Sequence, residues 1–580
     1  MPREAIESRA SPLLLVHILG SDAGHATQVG MAEEIQEGTT GGSGPQGRAR
    51  AIAVLLILAA LVKLTLIAMP PDEISPGGLP DTEEWRRGMA AQEWVDGPLV
   101  PYLDYQQGHF QGGTLLTIGL DAVSYAVFGG SPLTMRLPNL LYDWATIAFL
   151  FLLVDRLFSR RAAWIAGLLA CVPSPGYAMV GAIAWASHVE ANAFAMGVLW
   201  LWSGYAFRPD RRLGGAFGVG VAAGLALWFH YGLALWLAVM LLVEALRDRK
   251  AWFRPDMGAR LLGVVVGLLP WWIYNLTHDW QGLGVYGKSA AGHFQSSVGG
   301  VGEAFKELLT EYLPHSLFLP DLGGGGRAVE FALLSLAIIA WATVSFGALR
   351  ALLRERQVRP ELALALYPLL WTLIYVVGSF QGQPLKGVNG YRYMLPLHPV
   401  GWICLGVWLA RWRPTLATPA VGLMLLLFGA STASYLRPER AYLNATAPGH
   451  VVESVGGFLF ERAGDDPERL VEAMARALEL RSGLEADIVL FTLSGRLKYG
   501  STMKPPAEWP AGPDRARFDA KVRGFSESLL ALEEAAPDRF KPYFSPLKQG
   551  ERPFAWSDRS RFWIQWQTRG AKRPKDAYAY

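Results

Sequence analysis

The feature that most constrains this chain is a series of long apolar runs separated by short connections rich in arginine. About eleven such runs occur, and each approaches the ~20 residues that a helix needs to cross a bilayer. They lie at 51–69, 137–155, 162–182, 190–206, 214–229, 232–246, 261–276, 328–347, 361–380, 393–410 and 415–433. With a mean hydropathy of +0.21, the chain is too apolar to be soluble throughout. The pattern predicts an α-helical polytopic membrane protein.

Arginine placement predicts the orientation of the spans. Every second connection is short and basic, and by the positive-inside tendency these connections face the cytoplasm. The basic groups are Arg156, Arg160 and Arg161; Arg208, Arg211 and Arg212; Arg247, Arg249, Lys250 and Arg254; Arg350, Arg354, Arg356 and Arg359; and Arg411 and Arg413. Arg48 and Arg50 place the N-terminus on the same side. The outer face then carries a first outer loop (70–136), a second outer loop (183–190) and the loops 277–327 and 381–392.

One apolar segment and the two ends complete the predicted organisation. The segment 113–129 is short and contains Asp121, and a crossing there would move the next arginines to the outside. We therefore expect an interfacial helix. Residues 1–47 are rich in Gly, Ser, Glu and Gln, which predicts a disordered cytoplasmic tail before the membrane domain, 48–435. Residues 436–580 carry charges of both signs and predict a small extracytoplasmic α/β domain.

Composition excludes several classes of function. There are 53 Lys and Arg residues against 50 Asp and Glu, and this balance gives no electrostatic basis for binding nucleic acid. Both cysteines, Cys171 and Cys404, lie inside apolar runs. They therefore indicate neither a disulfide framework nor a metal site. Glycines at 214, 218, 220 and 224 favour close packing of a membrane helix over a nucleotide-binding loop.

Acidic residues of the first outer loop are the first candidate functional groups. Asp81, Glu83 and Glu84 begin a predicted helix from Thr82 to Val95. A purely structural interpretation is open as well, since Asp81 is a suitable helix cap, Glu84 completes a pair like that of a capping box, and Glu83 lies four residues before Arg87. The second outer loop adds His188 and Glu190 at the mouth of a span, where an ionisable group is a functional hypothesis by default.

Several stretches in this order resemble the GT-C-type membrane glycosyltransferases, the group that includes the protein O-mannosyltransferases and the lipid A aminoarabinose transferases. The stretches are DTEEW (81–85), Val100-Pro101 with the His-containing turn 108–113, MRLPNLL (135–141), DRLFSRRAAWIAGLLACVPS (155–174), LLPWWIYNLTH (268–278) and GYRYMLPLHP (390–399). The chain departs from the family pattern at two points. The family's adjacent Asp-Glu pair appears here as Asp81-Thr82-Glu83-Glu84, and the turn near His109 lacks prolines.

The resemblance implies that the first outer loop caps a cavity at the outer membrane face, where a sugar leaves a polyprenyl-phosphate carrier. Since phosphate is a good leaving group, the reaction needs one carboxylate as a base and cations for the departing charge, with inversion in a single displacement. The resemblance favours Asp81 as the base because it opens the loop helix. Glu83 and Glu84 stay open as alternatives, and Glu190 matches the family's second-loop acid, which orients the acceptor or a cation.

The resemblance also suggests the binding residues. Arg392, helped by Lys386 and Arg136, is expected to bind the donor phosphate, because these three residues lie at the outer ends of spans. Contacts to the acceptor or sugar are expected from His109, His188 and Tyr391. No metal and no cofactor are expected, since family members that use phosphate-linked single sugars generally need none. A bacterial cytoplasmic (inner) membrane is the expected location, with membrane lipids, the polyprenyl-phosphate sugar and a glycolipid, polysaccharide or protein acceptor as partners.

Two other functions stay open. A non-enzymatic carrier or flippase of lipid-linked sugars would need polar groups inside several spans. Duplicated halves are typical of such carriers, and no repeat is visible in this sequence. A degenerate glycosyltransferase fold that acts as a scaffold would explain the irregular acidic segment at Asp81.

Overall fold

A computed structural model of the chain describes the helical membrane domain and part of the first outer loop. The described residues are 45–68, 84, 87–88, 90–91, 94–95, 97, 101–105, 112–130, 132–183, 187–208, 211–285, 288–289, 301–317, 326–377 and 392–436. Nearly all of the predicted α/β domain (436–580) and of the predicted tail (1–47) lies outside them, and both stay predictions. The chain divides into two compact units, 1–54 and 55–580, and the described part of the first is the beginning of the first helix.

Helices account for nearly all of the described structure, and every predicted apolar run coincides with one helix or with a bent pair. The helices are α1 (Pro45–Ala68), α2 (Gly113–Phe128), α3 (Pro132–Arg136), α4 (Asn139–Leu157), α5 (Arg160–Cys171), α6 (Pro175–Ala182), α7 (Ala191–Ala206), α8 (Leu213–Phe229), α9 (Ala234–Arg247), α10 (Pro255–Gly267), α11 (Leu269–Thr277), α12 (Val301–Glu307), α13 (Leu313–His315), α14 (Gly326–Arg354), α15 (Leu362–Val377), α16 (Leu397–Ala410) and α17 (Pro414–Tyr435). A short antiparallel hairpin, β1 (Gly284–Val285) and β2 (Lys288–Ser289), pairs Gly284 with Ser289.

Four helical stretches are each long and apolar enough to cross a membrane alone: α1, Leu133–Leu157, α14 and Pro414–Ser434. Two bent pairs raise the number to six if each pair is one span. In these pairs α5 meets α6 at 62° and α10 meets α11 at 55°. Prolines at the start of α6 and of α11 explain the bends, since proline cannot donate the backbone hydrogen bond that would continue the preceding helix. The chain is thus a polytopic helical membrane protein, and the crossing of all eleven runs stays a prediction.

Helices α8 and α10 touch along glycines of both helices. A Cβ on Gly220 would lie 2.1 Å from the carbonyl oxygen of Arg260, and one on Gly263 would lie 2.3 Å from that of Phe217. Gly224 makes the same kind of approach to Val264, whereas Gly214 and Gly218 have no atom within 4 Å of such a Cβ. Helix packing through glycine is therefore confirmed for Gly220 and Gly224 and not observed for the other two.

Ion pairs lie among the helices in addition to the loop charges. Lys63 of α1 pairs with Asp143 of α4 at 2.6 Å and also donates to the carbonyl oxygen of Gly181. Glu244 of α9 accepts from Arg260 of α10 at 2.6 Å. Charges within this apolar bundle are thus neutralised in pairs, as burial in a low-dielectric interior requires.

Candidate functional site

Arg87, a residue of the first outer loop, is the centre of a buried ionic network. Its guanidinium binds Asp121 of α2 with two parallel hydrogen bonds, of which the one from Nη2 to Oδ1 measures 2.9 Å. Nη1 donates to Oε1 of Glu190 at 2.9 Å, and Nη2 also donates to Oδ1 of Asn139 at 3.0 Å. The side chain of Asn139 in turn donates to the carbonyl oxygen of Ile183. One arginine therefore joins the first outer loop, α2, α4 and the second outer loop.

Glu84 and Arg136 form a second buried pair beside the first. Nε of Arg136 donates to Oε1 of Glu84 at 2.7 Å, and Nη2 donates to Oε2 at 2.5 Å. Both side chains have no solvent-exposed surface. This two-point geometry is characteristic of arginine and carboxylate and fixes both groups in direction as well as in distance. Together the two pairs anchor the loop helix, on which Glu84 and Arg87 lie one turn apart, to α2 and α3.

The network holds more carboxylates than guanidiniums, so that not every buried acid has a cation of its own. Glu84, Asp121 and Glu190 face Arg87 and Arg136, and all five side chains are at most 3% exposed. Burial raises the pKa of Asp121 to about 7, against the opposing effect of Arg87. Burial also raises the pKa of Glu190, again opposed by Arg87. In both acids burial thus favours the protonated form, and the Arg87 cation opposes it.

Close backbone contacts bring the outer segments together around this network. The amide of Gly112 donates to the carbonyl oxygen of Trp228 at 2.8 Å, at the end of α8. A Cβ on Gly113 would lie 2.3 Å from the carbonyl oxygen of Phe229 and 3.0 Å from Cβ of Ser187. Only glycine fits at this crossing, so the start of α2, the second outer loop and the end of α8 are held against one another.

A set of partly accessible side chains lies next to the buried network, and we call it the histidine cluster: His188, His230, Arg392 and Tyr393. The ring of His188 lies 5.2 Å from that of His230 and 5.3 Å from that of Tyr393. Arg392 donates to the hydroxyl of Tyr393 at 3.4 Å. Burial lowers the pKa of both histidines, that of His230 to about 4, and the nearby Arg392 cation lowers both further. The cluster therefore presents two neutral imidazoles and one cation.

The structure brings five of the predicted site residues to this region. Glu84, Arg136 and Glu190 lie in the buried network, and His188 and Arg392 lie in the histidine cluster. The other predicted residues, Asp81, Glu83, His109, Lys386 and Tyr391, lie outside the described residues. Arg136 was expected to bind the donor phosphate, but its guanidinium is engaged by Glu84. Among the described residues no group of three His, Cys, Asp or Glu is placed to hold a metal ion.

Sequence patterns gave no direct indication of three members of the site. Arg87 looked like a local partner of Glu83, Asp121 like an interruption in an apolar helix, and His230 was not singled out. The charge inside an apolar segment was the available signal for Asp121, because an acid there needs a buried cation as a partner. Nothing in the sequence pairs Arg87 with two acids that are 34 and 103 residues away.

Comparison with protein families matches part of the chain. Residues 120–274 match the family described as dolichyl-phosphate-mannose-protein mannosyltransferase. The matched segment begins next to Asp121 and includes Arg136, Glu190 and His230. No curated protein sequence matches the chain.

Two solved proteins are similar to the structure at a lower level. ArnT from Cupriavidus metallidurans, solved with bound undecaprenyl phosphate, has 18% sequence identity and a TM-score of 0.46, with 88% of this chain and 92% of that chain covered. The oligosaccharyltransferase AglB from Archaeoglobus fulgidus, in complex with an inhibitory peptide and a dolichol-phosphate, has 12% identity and a TM-score of 0.41, with 72% and 59% covered. These similarities are too weak to carry a functional argument alone.

Proposed function

We propose that the chain is a membrane glycosyltransferase that transfers a sugar from a polyprenyl-phosphate-linked donor at the outer membrane face. The match of residues 120–274 to the dolichyl-phosphate-mannose-protein mannosyltransferase family supports this proposal. The acceptor is a lipid, a glycan or a protein. The observation that carries the proposal is the position of Glu190. Its carboxylate is held by Arg87 in the buried network, while His188, two residues earlier, belongs to the accessible histidine cluster.

The proposed reaction is a single displacement with inversion. The acceptor hydroxyl attacks the anomeric carbon, the bond from that carbon to the phosphate oxygen breaks, and its electron pair stays on the phosphate. A carboxylate of the outer loops accepts the hydroxyl proton, and cations stabilise the charge that grows on the departing phosphate. This chemistry needs only one carboxylate at the reacting centre, unlike glycoside hydrolysis, where a pair of carboxylates acts on the bond.

Glu190 has the properties of such a base or of an orienting acid. Only Oε1 accepts from Arg87, and burial raises the pKa of the carboxyl group, which strengthens it as a proton acceptor near neutral pH. Glu84 differs because both of its oxygens bind Arg136, which supports an anchoring role. Asp81 and Glu83 stay candidates for the base at the start of the loop helix.

Arg392 is the described arginine that best suits the donor phosphate. It is partly accessible and lies in the histidine cluster, whereas Arg136 is fully buried against Glu84. Lys386 lies six residues before Arg392 and stays a candidate helper. A planar guanidinium can bind two phosphate oxygens at once, which orients the leaving group as well as neutralising it.

The test uses purified protein in lipid nanodiscs with radiolabelled polyprenyl-phosphate sugars and a membrane extract as the acceptor. We expect the wild type to transfer label and Glu190→Gln, Asp81→Asn or Glu83→Gln to reduce the rate. The variant that replaces the base should lose about 100-fold or more. Glu311→Gln is the matched control, because this acid is 53% exposed and pairs with Arg327 outside the site.

The outcomes separate the possible functions. Transfer by the wild type that is lost in one acid variant, with normal membrane insertion, supports the enzyme and identifies the base. Donor binding without transfer from any donor contradicts the proposed reaction and favours a carrier of lipid-linked sugars. Full activity in all four variants Asp81→Asn, Glu83→Gln, Glu84→Gln and Glu190→Gln would contradict the role of a loop carboxylate.

A further inference from the structure

The histidine cluster contains a residue, His230, that the reaction described above does not use. It lies in the corner between α8 and α9, next to a 3-10 turn at Tyr231–Leu233. Its backbone amide donates to the carbonyl oxygen of Ala226, which continues α8 by one residue. The corner is fixed from outside by the contacts of Gly112 and Gly113 with Trp228 and Phe229. The position of His230 is therefore determined by the same backbone crossing that holds the outer segments together.

A hydrogen bond defines which nitrogen of His230 carries the proton. Nδ1 accepts from the backbone amide of Gly232 at 3.0 Å. A nitrogen that accepts is not protonated, so the neutral ring carries its proton on Nε2 and has an N–H donor there. Burial together with Arg392 lowers the pKa of His230 to about 4, so the ring is neutral at physiological pH. His230 thus offers a single, fixed donor beside a cation.

Among the described residues, no anion faces the His188–His230 pair on its accessible side. The titratable groups that face His188 and His230 among the described residues are each other, Arg392 and Tyr393, while Glu190 is held by Arg87 on the buried side. A cation and N–H donors are groups that recognise phosphate oxygens.

From this arrangement we propose that His230 donates a hydrogen bond from Nε2 to the phosphate held by Arg392, and that the His188–His230 pair takes up a proton when the phosphate product is bound. The proposal rests on the proposed function, since it takes the polyprenyl-phosphate donor as given. During transfer the donor, a phosphodiester with one negative charge, becomes a monoester with up to two. The acceptor proton leaves on the loop carboxylate, and the proton that the histidines take up comes from solvent.

Charge explains why uptake accompanies the product. Without ligand, Arg392 and burial both disfavour an imidazolium. A phosphate dianion next to Arg392 reverses the sign of the local potential and favours a protonated ring. The monoanionic donor does so less than the dianionic product. The pair therefore binds the product more tightly at lower pH, and deprotonation of the pair assists product release.

The experiment measures binding of undecaprenyl phosphate to the full chain in nanodiscs by calorimetry, in buffers of different ionisation enthalpy. Two variants separate the two functions of the ring. In His230→Asn the side-chain oxygen can still accept from Gly232 but the Nε2 donor is lost, and we expect binding to weaken about tenfold. In His230→Gln the amide nitrogen can replace the donor but does not titrate. Affinity at pH 8 should therefore stay within about threefold of wild type, while proton uptake falls because only His188 of the pair can still titrate.

His278→Gln is the matched control, because this histidine stacks on Tyr274 in another outer loop and should change neither quantity. Wild-type affinity and proton uptake in both His230 variants would overturn the inference and leave the proposed function intact. Failure of the wild type to bind undecaprenyl phosphate would overturn the inference together with the donor class. If His230→Asn fails to fold, its melting temperature will show this. The affinity and proton uptake of His230→Gln then test the inference.

Discussion

Arg87 and Glu190 lie 2.9 Å apart although 103 residues separate them in the chain. The contact joins the first outer loop to the second through a single hydrogen bond between charged groups. Asp121 occupies the other edge of the same guanidinium, so Arg87 neutralises parts of two acids that would otherwise be buried together. The helix of the first outer loop is thus attached to the membrane domain by charge as well as by apolar contacts.

Replacing Arg87 should therefore be costly. Removing one partner of a buried ion pair typically destabilises by about 3–5 kcal/mol, because the remaining charge is left in a low-dielectric site. We expect Arg87→Met to lower the apparent melting temperature in nanodiscs by several degrees and to abolish sugar transfer. Arg87→Lys should recover part of the stability, but it cannot restore the two-point contact with Asp121.

A matched control for this prediction is Arg359→Met. Arg359 pairs with Glu355 at 2.8 Å, and the two side chains are 50% and 42% exposed. Exposed pairs contribute about 0–1 kcal/mol, so this variant should melt close to wild type. Equal melting temperatures for the Arg87 and Arg359 variants would contradict the importance of the buried network.

Long apolar runs predicted the helices well because the length of a run is a local property of the chain. Each predicted run from 51–69 to 415–433 is helical in the structure. Two runs form bent pairs of helices, and the prolines at 175 and 270 indicate where the bends occur. The ionic network could not be predicted in this way. Arg87 follows the acids at 83 and 84, which look like its local partners, whereas its actual partners depend on how distant segments pack.

Glu84 and Arg136 give a prediction that separates an anchor from a base. Glu84→Gln should destabilise by about 3–5 kcal/mol by leaving Arg136 buried without its carboxylate. In the double variant Glu84→Gln/Arg136→Met both charges are gone, and stability should return to within about 2 kcal/mol of wild type. Melting and transfer assays on the single and double variants give the answer. If Glu84 is an anchor, transfer returns with stability; a stable but inactive double variant would instead make Glu84 the base.

Helix packing through glycine gives a prediction independent of the site. Gly220→Leu or Gly263→Leu should force α8 and α10 apart, because the new side chain would meet backbone atoms of the opposite helix that cannot move alone. We expect about 3 kcal/mol or more of destabilisation, measured as a lower melting temperature. Gly218→Leu, two residues before Gly220 on a different face of α8, has no atom within 4 Å of the new Cβ and should be tolerated. Equal effects at Gly218 and Gly220 would contradict the observed contact.

Acid should destabilise the fold through His230. Its pKa of about 4 in the folded protein lies below the ordinary value of 6.5, so between these limits the unfolded chain binds a proton that the folded chain does not. Stability from this residue is complete above pH 6.5 and is lost as the pH falls towards 4, by at most about 3 kcal/mol at ~1.4 kcal/mol per unit. Melting curves from pH 7.5 to 4.5 should show a smaller decline for His230→Gln than for wild type. Parallel declines would contradict the buried neutral state.

Members of the candidate site could be predicted from the sequence only where a charged residue lies at the end of an apolar run. Glu190 and Arg392 are charged residues at the ends of predicted spans, and both lie in the region of the site. His230 differs because it is a histidine in a corner between two apolar helices, and its importance depends on Gly112 and Gly113 pressing against Trp228 and Phe229. A contact of that kind depends on chain crossing, which the spacing of residues in one sequence does not encode.

Lys63 and Asp143 provide a test of whether a charge within the membrane is structural. The pair joins α1 to α4, and Lys63 also donates to Gly181 at the end of α6, so three helices meet at one ammonium group. We expect Lys63→Met alone to destabilise by about 3–5 kcal/mol, since Asp143 would be left buried without a cation. The double variant Lys63→Met/Asp143→Leu should regain most of this stability, because apolar side chains of similar volume often replace a buried pair at little cost.

Melting and sugar transfer in nanodiscs are the measurements for the Lys63–Asp143 pair. If the pair is purely structural, transfer activity recovers together with stability in the double variant. A double variant that melts like wild type but transfers no sugar would contradict this and place Lys63 and Asp143 in the functional machinery.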